Sequence, residues 1–420
     1  MKDLPCRVEI VLNFPRNVFF VCALFAFSSC AGLRIPLSAI RPSGADELAA
    51  AIAAGKDVNA RYPGGLSPLM EASYRNLPDI AAILLDAGAD IAARDSDGFT
   101  ALMYAAAGNS PACAELLIKK GAVVSAREYL TGKTAIFFAV ENNSAPMVKL
   151  LLLSPEASED DFDGGVTALM YSSALGAFSA CEEIIKNGAD IKKRDDLGRD
   201  ALFHAVQNNA IETAKLLIKS GADVNAEYDR RLLHLAAAEN NVDMIKLLIG
   251  AGAGIAIKDK QGFTPFGEAV RAGSLEAASF FLEYGVGANE EQNELTPLMI
   301  AVKNNDLKMM TLLAENMADI NIALSDGTTA LFYAAMRASS AAAEFLISVG
   351  ADVNAADSKG WTPLMTAVSE NNLDTAVFLI KTGADVNAKN AESLNALEIA
   401  KYKRNDKMIA CLKSAGAREY

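Results

Sequence analysis

Side chains suited to chemistry are few in this sequence. Only two histidines occur, His204 and His234. Neither has a Ser, Cys or Asp at the spacing of a nucleophile–base–orienter set. There is no Gly-rich phosphate loop, no His-Glu-x-x-His and no paired-acid motif outside recurring turns. Six cysteines are present. Cys6, Cys22 and Cys30 lie in the first 30 residues, and Cys113, Cys181 and Cys411 are scattered. With no Cys-x-x-Cys and no Cys/His cluster, metal is not expected. These residues give no support for catalysis. The expectation is a protein that is not an enzyme, with no cofactor and no small-molecule substrate. The net charge of −13, without a Lys/Arg-rich run, argues against nucleic acid as a partner.

The elements that position these residues repeat. An Ala closes a short apolar element at Ala72, Ala105, Ala139, Ala205, Ala236, Ala269, Ala301, Ala334, Ala367 and Ala400, with Ser172 in the same place. The steps are 33, 34, 33, 33, 31, 33, 32, 33, 33 and 33. A period this steady means stacked supersecondary units rather than one closed core. Within each unit a Thr opens a first helix. Pro68, Pro265, Pro297 and Pro363 take the first helical position, where a missing N–H costs nothing. Asn76, Asn109, Asn143, Asn209, Asn240, Asn305 and Asn371, or Gly176 and Gly273, mark a left-handed turn into a second helix. Gly88, Gly121, Gly188, Gly221, Gly252, Gly285, Gly350 and Gly383 end that helix. Turns built on Asp-x-x-Gly follow, as at Asp95 to Gly98. Cys113 and Cys181 sit two units apart, beyond disulfide reach, and are expected to be small buried side chains.

Thr-Pro-Leu at the first helix, Leu-Leu before Gly-Ala-Asp-x-Asn-Ala, and a period of 33 together resemble the ankyrin-repeat family, over about residues 45–420. The fold the resemblance implies is an all-α solenoid of helix-turn-helix units with extended β-turn fingers. Residues 45–65 read as an N-terminal capping half-repeat, 66–392 as ten repeats and 393–420 as a C-terminal capping repeat. One departure is consistent. Where the family has Thr-Pro-Leu-His, this chain has Met70, Met103, Phe137, Met170, Phe203, Met299, Phe332 and Met365; only His234 keeps the imidazole. Apolar packing is expected to replace the family's hydrogen bonds between units. Two turns are irregular: Ser154 to Asp161, with four acids and a Pro, and the shortened turn at 227–232.

Lys2, Arg7 and Arg16 precede the apolar run Val18 to Phe27, followed by Ser28-Ser29-Cys30-Ala31-Gly32. This is the shape of a secretory signal, and too short to span a bilayer, which needs roughly 20 residues. Its exit resembles a bacterial lipobox. Phe27 stands where Leu is usual, and Asp3 and Glu9 lie in an unusually long leading segment. The expectation is a signal peptide over 1–29, with lipidation at Cys30 and a short tether over 30–44. The protein is then exported and held at the periplasm, outer membrane or cell surface by a lipid anchor.

The family implies a protein partner, met along the strip of turn tips and first helices. Its variable tip position falls here at Phe99, Lys133, Val166, Arg199, Phe263, Leu295, Thr328, Trp361 and Leu394. Phe99, Phe263 and Trp361 are the preferred anchors if their rings stand clear of the stack; alternatively each ring folds over its own turn. Tyr74, Arg75, Arg271, Lys303, Arg337 and Tyr402, at the ends of first helices, extend the strip. Their charges are mixed, which predicts no simply charged ligand. The alternatives are a structural or protective envelope protein without a dedicated partner, and a cytosolic or host-delivered effector.

Overall fold

A computed structural model of the chain describes residues 35–154, 163–337 and 339–419. Among the described residues there are 23 α-helices and no strand. Helix α1 (Ala45–Ala53) stands alone. Antiparallel pairs follow from α2 (Pro68–Tyr74) with α3 (Pro78–Asp86) to α22 (Ala396–Tyr402) with α23 (Asp406–Ser414). First helices have seven or eight residues and second helices eight or nine. None is long and apolar enough to cross a membrane.

Local chemistry sets these boundaries. The hydroxyl of Thr100 accepts from the Met103 amide at 3.4 Å, and the carboxylate of Asp200 accepts from Phe203 N at 3.0 Å. Each satisfies an N–H that the first helical turn leaves open. The Met in the usual His place completes the cap in reverse: the thioether of Met70 accepts from Ser67 N at 3.3 Å. The inter-helix Asn residues take φ between 48° and 62°. That is the left-handed region where Asn is tolerated and most side chains are strained.

First helices stack in one row and second helices in another. The recurring Ala from Ala72 to Ala400, with Ser172 in one unit, is at most 1% exposed throughout. Its single methyl lets neighbouring first helices approach closely. Most second helices pack more loosely on one another. Helices α7 (Ala145–Leu152) and α9 (Phe178–Lys186), which flank the irregular turn after Leu153, are the exception. Most of that turn lies outside the described residues. The core is continuous along the stack, and each fully buried Leu or Ile contributes about 1.5–3 kcal/mol.

Residues 35–44 are not a free tether. Ile35, Ala39 and Ile40 are fully buried, and a 3-10 turn, Leu37–Ala39, packs on α1. Tyr62 Oη donates to the Ile35 carbonyl at 2.7 Å and Arg75 Nη1 to the Ile40 carbonyl at 3.1 Å. The capping half-repeat has no first helix, and these residues fill that place. The apolar Ile35 and Ile40 carry the signal, although no helical period surrounds them.

Neighbouring units are joined by side chains from the turns. In the C-terminal half, Asn289, Asn321, Asn354 and Asn387 each bridge forward. Asn321 donates to the Gly350 carbonyl at 2.9 Å and accepts from Asp352 N at 2.9 Å. Asn354 does the same with Gly383 and Asp385, and Asn387 with Gly416 and Arg418. Asn59 and Asn225 make the same clip earlier in the chain. Ala92, Ser125 and Lys192 hold its place elsewhere in the first half. There, arginines clasp two carbonyls: Arg94 Nη1 donates to Gly98 and Arg127, and Arg194 Nη1 to Gly198 and Glu227.

Candidate protein-binding face

The fingers are tight hairpins closed by an acid or amide. Asp95 Oδ1 accepts from Asp97 N at 3.0 Å and Phe99 N at 2.8 Å; Asp357 does so from Lys359 and Trp361, both at 2.8 Å. Successive fingers are stitched by backbone bonds, such as Tyr129 N to the Asp97 carbonyl and Ser358 N to the Asp326 carbonyl. This fixes the residue after each finger's left-handed turn residue, Gly or, before Leu295 and Leu394, Glu294 and Ser393, on one line beside the first helices.

That line brings together the nine tip residues, with less exposure than the anchor reading requires. Lys133 and Phe263 are buried, and Phe99, Val166, Arg199, Leu295, Thr328, Trp361 and Leu394 are half-buried. Phe99 lies 5.6 Å from the Tyr104 ring and 5.0 Å from Phe138, centroid to centroid. Phe263 is 7% exposed under the Arg271 guanidinium. Its ring does not stand clear, because it fills the space between its own finger and the next first helix. Cys30 lies outside the described residues.

The fourth residue after the N-cap of the first helix, overlooked as a sequence position, forms a second row that includes Tyr104, Phe138, Tyr171, His204, Glu268, Ile300 and Tyr333. In the first half this row is engaged internally. Tyr104 Oη donates to Asp95 Oδ2 at 2.7 Å. Lys133 Nζ pairs with Glu141 at 2.8 Å and donates to Tyr171 Oη at 2.9 Å. Burial and these carboxylates push both phenols well above their ordinary range. Arg199 Nε and His204 Nε2 each reach Asp195 Oδ2 at 2.9 Å. Burial alone would raise the Asp195 pKa; the His204 bond, the Arg199 amide and the Arg199 charge outweigh it and hold the pKa at about 2.

The two histidines therefore hold structure separately. His234 Nε2 meets the Phe263 carbonyl of the next unit at 2.9 Å, the tie the family resemblance implies. Both rings are 1% exposed. Cys113 and Cys181 are free and buried, and burial pushes the Cys113 thiol to about 11. Among the described residues no group of His, Cys, Asp and Glu is arranged to hold a metal ion.

Farther along, the groove changes character. Glu268 is 1% exposed and held between Arg230 and Arg271 at 2.6 Å. Burial opposes its charge; the bonds and charge of Arg271, with Arg230, prevail and keep its pKa low. Lys303 stands 5.7 Å from the Tyr333 ring centroid. Among the described residues neither Lys303 nor Arg337 has a carboxylate within ion-pair distance, and both are exposed. Arg75, by contrast, is tied to Glu71 at 2.5 Å as well as to Ile40.

The profile for "Ankyrin repeats (3 copies)" matches residues 38–128, 136–228, 233–324 and 318–390, most of the chain. The chain belongs to the ankyrin-repeat family. It is 29% identical over 128 residues to the human transient receptor potential cation channel subfamily A member 1, covering 30% of this chain and 11% of that protein. It is 32% identical over 125 residues to the chicken nuclear factor NF-kappa-B p105 subunit, covering 28% and 13%. The chain thus spans about a tenth of the length of these curated relatives. A solved ankyrin repeat domain from Acinetobacter baumannii is 29% identical, with 44% of this chain and 98% of that one covered and a TM-score of 0.41.

Proposed function

We propose that this ankyrin solenoid is a protein-binding scaffold without catalysis of its own, and that it is exported and anchored by lipid at Cys30. The observation that carries the binding reading is the groove itself. Fingers and first helices align half-buried apolar and charged side chains in one register over eleven units. Trp361 is half-buried at its finger, and Lys303 lies exposed over the Tyr333 ring. Site-specific photo-crosslinking tests it, with a benzophenone side chain at Thr328 on the groove and at Glu344 on the second-helix row. Specific adducts from Thr328 alone support the scaffold. Equal labelling from both positions, or none from either, argues for a structural role with no dedicated partner.

Export and anchoring rest on the basic start, the Val18 to Phe27 run and the Ser28-Ser29-Cys30 exit. Metabolic labelling with a fatty acid should mark the wild type and not Cys30→Ser. Equal labelling of both, or an intact Met1 in the mature protein, would overturn the anchor.

A further inference from the structure

We propose that the short finger at 227–232 leaves a notch in the finger row, and that an extended segment of a partner protein docks there by its main chain, with an uncharged apolar side chain in the cavity. This rests on the scaffold reading above and names how the partner is held. Elsewhere one recurring bond laces the row. The second residue of a finger turn donates its amide to a carbonyl of the finger before it: Ser96 to Gly64, Tyr129 to Asp97, Asp196 to Gly164, Asn293 to Gly262, Ser358 to Asp326 and Ala391 to Lys359. Between Ala205 and Ala236 the step falls to 31, and Asp229-Arg230-Arg231 replaces Gly-x-Thr. The lacing stops on both sides of this finger. The Leu197 carbonyl, in the place of Asp97 and Lys359, accepts no backbone N–H among the described residues, and the Lys260 amide, in the place of Ser96 and Ser358, donates to no carbonyl. The bond is also missing between Asn293 and Ser325, but only as a single step. At 227–232 it is missing twice in succession, and a cavity of about 480 Å³ opens there.

Leu197, 66% exposed, and Tyr228 give the cavity an apolar wall. Arg194 lies 5.2 Å from the Tyr228 ring centroid and is committed to the Gly198 and Glu227 carbonyls. The other charges of the rim also have partners. Arg231 faces Glu227 at 3.6 Å and Lys260 faces Asp229 at 3.5 Å. Lys258 Nζ donates to the Glu291 carbonyl at 3.1 Å, and Asp259 closes its own finger by accepting from Gln261 N and Phe263 N. A rim of both signs selects no charged ligand. The notch lacks main-chain partners and an apolar filling. Leu197 and Lys260 are two units apart, roughly 20–24 Å for helices about 10–12 Å across. At about 3.3 Å per residue, six or seven residues of extended chain cover that span. Such a segment donates to the Leu197 carbonyl, accepts from the Lys260 amide and sets one side chain against Leu197 and Tyr228. Main-chain bonds then supply affinity and the cavity supplies selectivity, as where a strand adds to an open sheet edge.

The free chain gives the first check. Corrected for intrinsic rates, the Lys260 amide should exchange faster than those of Asp196 and Ser358; equal protection overturns the proposal. The second check uses the full chain and a phage-displayed library of random twelve-residue peptides. Enriched peptides should share an apolar residue, protect the Lys260 amide on binding and bind no more weakly as salt rises. Lys260 is the second residue of the Asp259–Gly262 turn, a position where Pro is favoured, and the bond from Gly262 N to the Asp259 carbonyl does not involve its amide. Lys260→Pro should therefore keep the fold by circular dichroism and weaken binding at least tenfold. Lys260→Ala, which loses the same side chain but keeps the N–H, should bind as the wild type does. Leu197→Ser should weaken binding as well. Peptides that bind Lys260→Pro as tightly as the wild type, that Lys260→Ala weakens equally, or that leave Lys260 exchange unchanged overturn this proposal and leave the scaffold reading standing. A library from which no peptide is enriched counts against both.

Discussion

The two halves of the stack join their units by a different balance of chemistry, the first having amide clips at Asn59 and Asn225 beside its arginine clasps. In the first half the finger arginines, Arg94 and Arg194, clasp carbonyls of two successive turns, and groove cations are committed to Glu71, Glu141 and Asp195. In the second half neutral amides make the joints, at Asn289, Asn321, Asn354 and Asn387. An amide donates and accepts at once, so one Asn satisfies both a carbonyl and an N–H across the boundary. Beside these clips Arg230 and Arg271 still hold Glu268 across a unit boundary, while Lys303 and Arg337 remain exposed with no carboxylate in ion-pair distance among the described residues. The same fold thus holds Arg94 and Arg194 in its joints at one end and leaves Lys303 and Arg337 exposed at the other.

The sharpest way to break this contrast is to open the first half and see whether the second survives. Leu202 is fully buried in α10 (Ala201–Gln207), between α8 (Ala168–Leu175) and α12 (Leu232–Ala238). Leu202→Ala should cost roughly 2–5 kcal/mol and split urea unfolding into two transitions, with the amide-clipped half melting last. A single transition at the wild-type midpoint would show that Leu202 does not sit on the stacked face. Gly267→Ala probes the boundary between the halves. A Cβ there would lie 2.2 Å from Gln292 Oε1, whose side chain is buried and accepts from Thr264 N at 2.8 Å. The expected loss is about 1–3 kcal/mol, read by thermal melting, and Gln292→Gly in the same chain should restore part of it.

Ionic and amide joints should also part with pH. The Asp195 pKa is held at about 2 against an ordinary 3.8. Its contribution is present above pH 4 and is lost as pH falls toward 2, because the unfolded chain takes up the proton first. Denaturant midpoints of the wild type should drop across that window, and the Asp195→Asn variant should show a shallower drop. An unchanged slope would mean that Asp195 is not strained toward its charged form. The smallest effect is expected from single clips. Asn321→Ala and Asn354→Ala, at exposed turns, should each cost about 1 kcal/mol, detected as faster amide exchange at Asp352 and Asp385 respectively.

Much of the fold was legible because each unit repeats the same local decisions. The capping Thr, the left-handed Asn and the terminating Gly are dictated within a few residues of themselves. The Asn of Gly-Ala-Asp-x-Asn-Ala was legible only as a turn residue. Its clip spans about one whole unit, a distance at which side-chain chemistry leaves no trace in local pattern. The tip row was placed by register, but its exposure was not, since whether Phe263 stands free depends on Arg271 and His234 in other elements. The mixed charges at first-helix ends separated only when Glu71 proved to hold Arg75, while Lys303 and Arg337 had no such neighbour among the described residues. Residues 35–40 were hidden for the opposite reason: a short irregular plug has no period to read.

That plug covers one flank of the stack among the described residues. The flank of a repeat is made to receive another repeat, so a bare terminal unit is a sticky end on which a second copy could add and a third could follow, without closure. Ile35 and Ile40 bury that flank, and the Tyr62 and Arg75 bonds to their carbonyls hold them there.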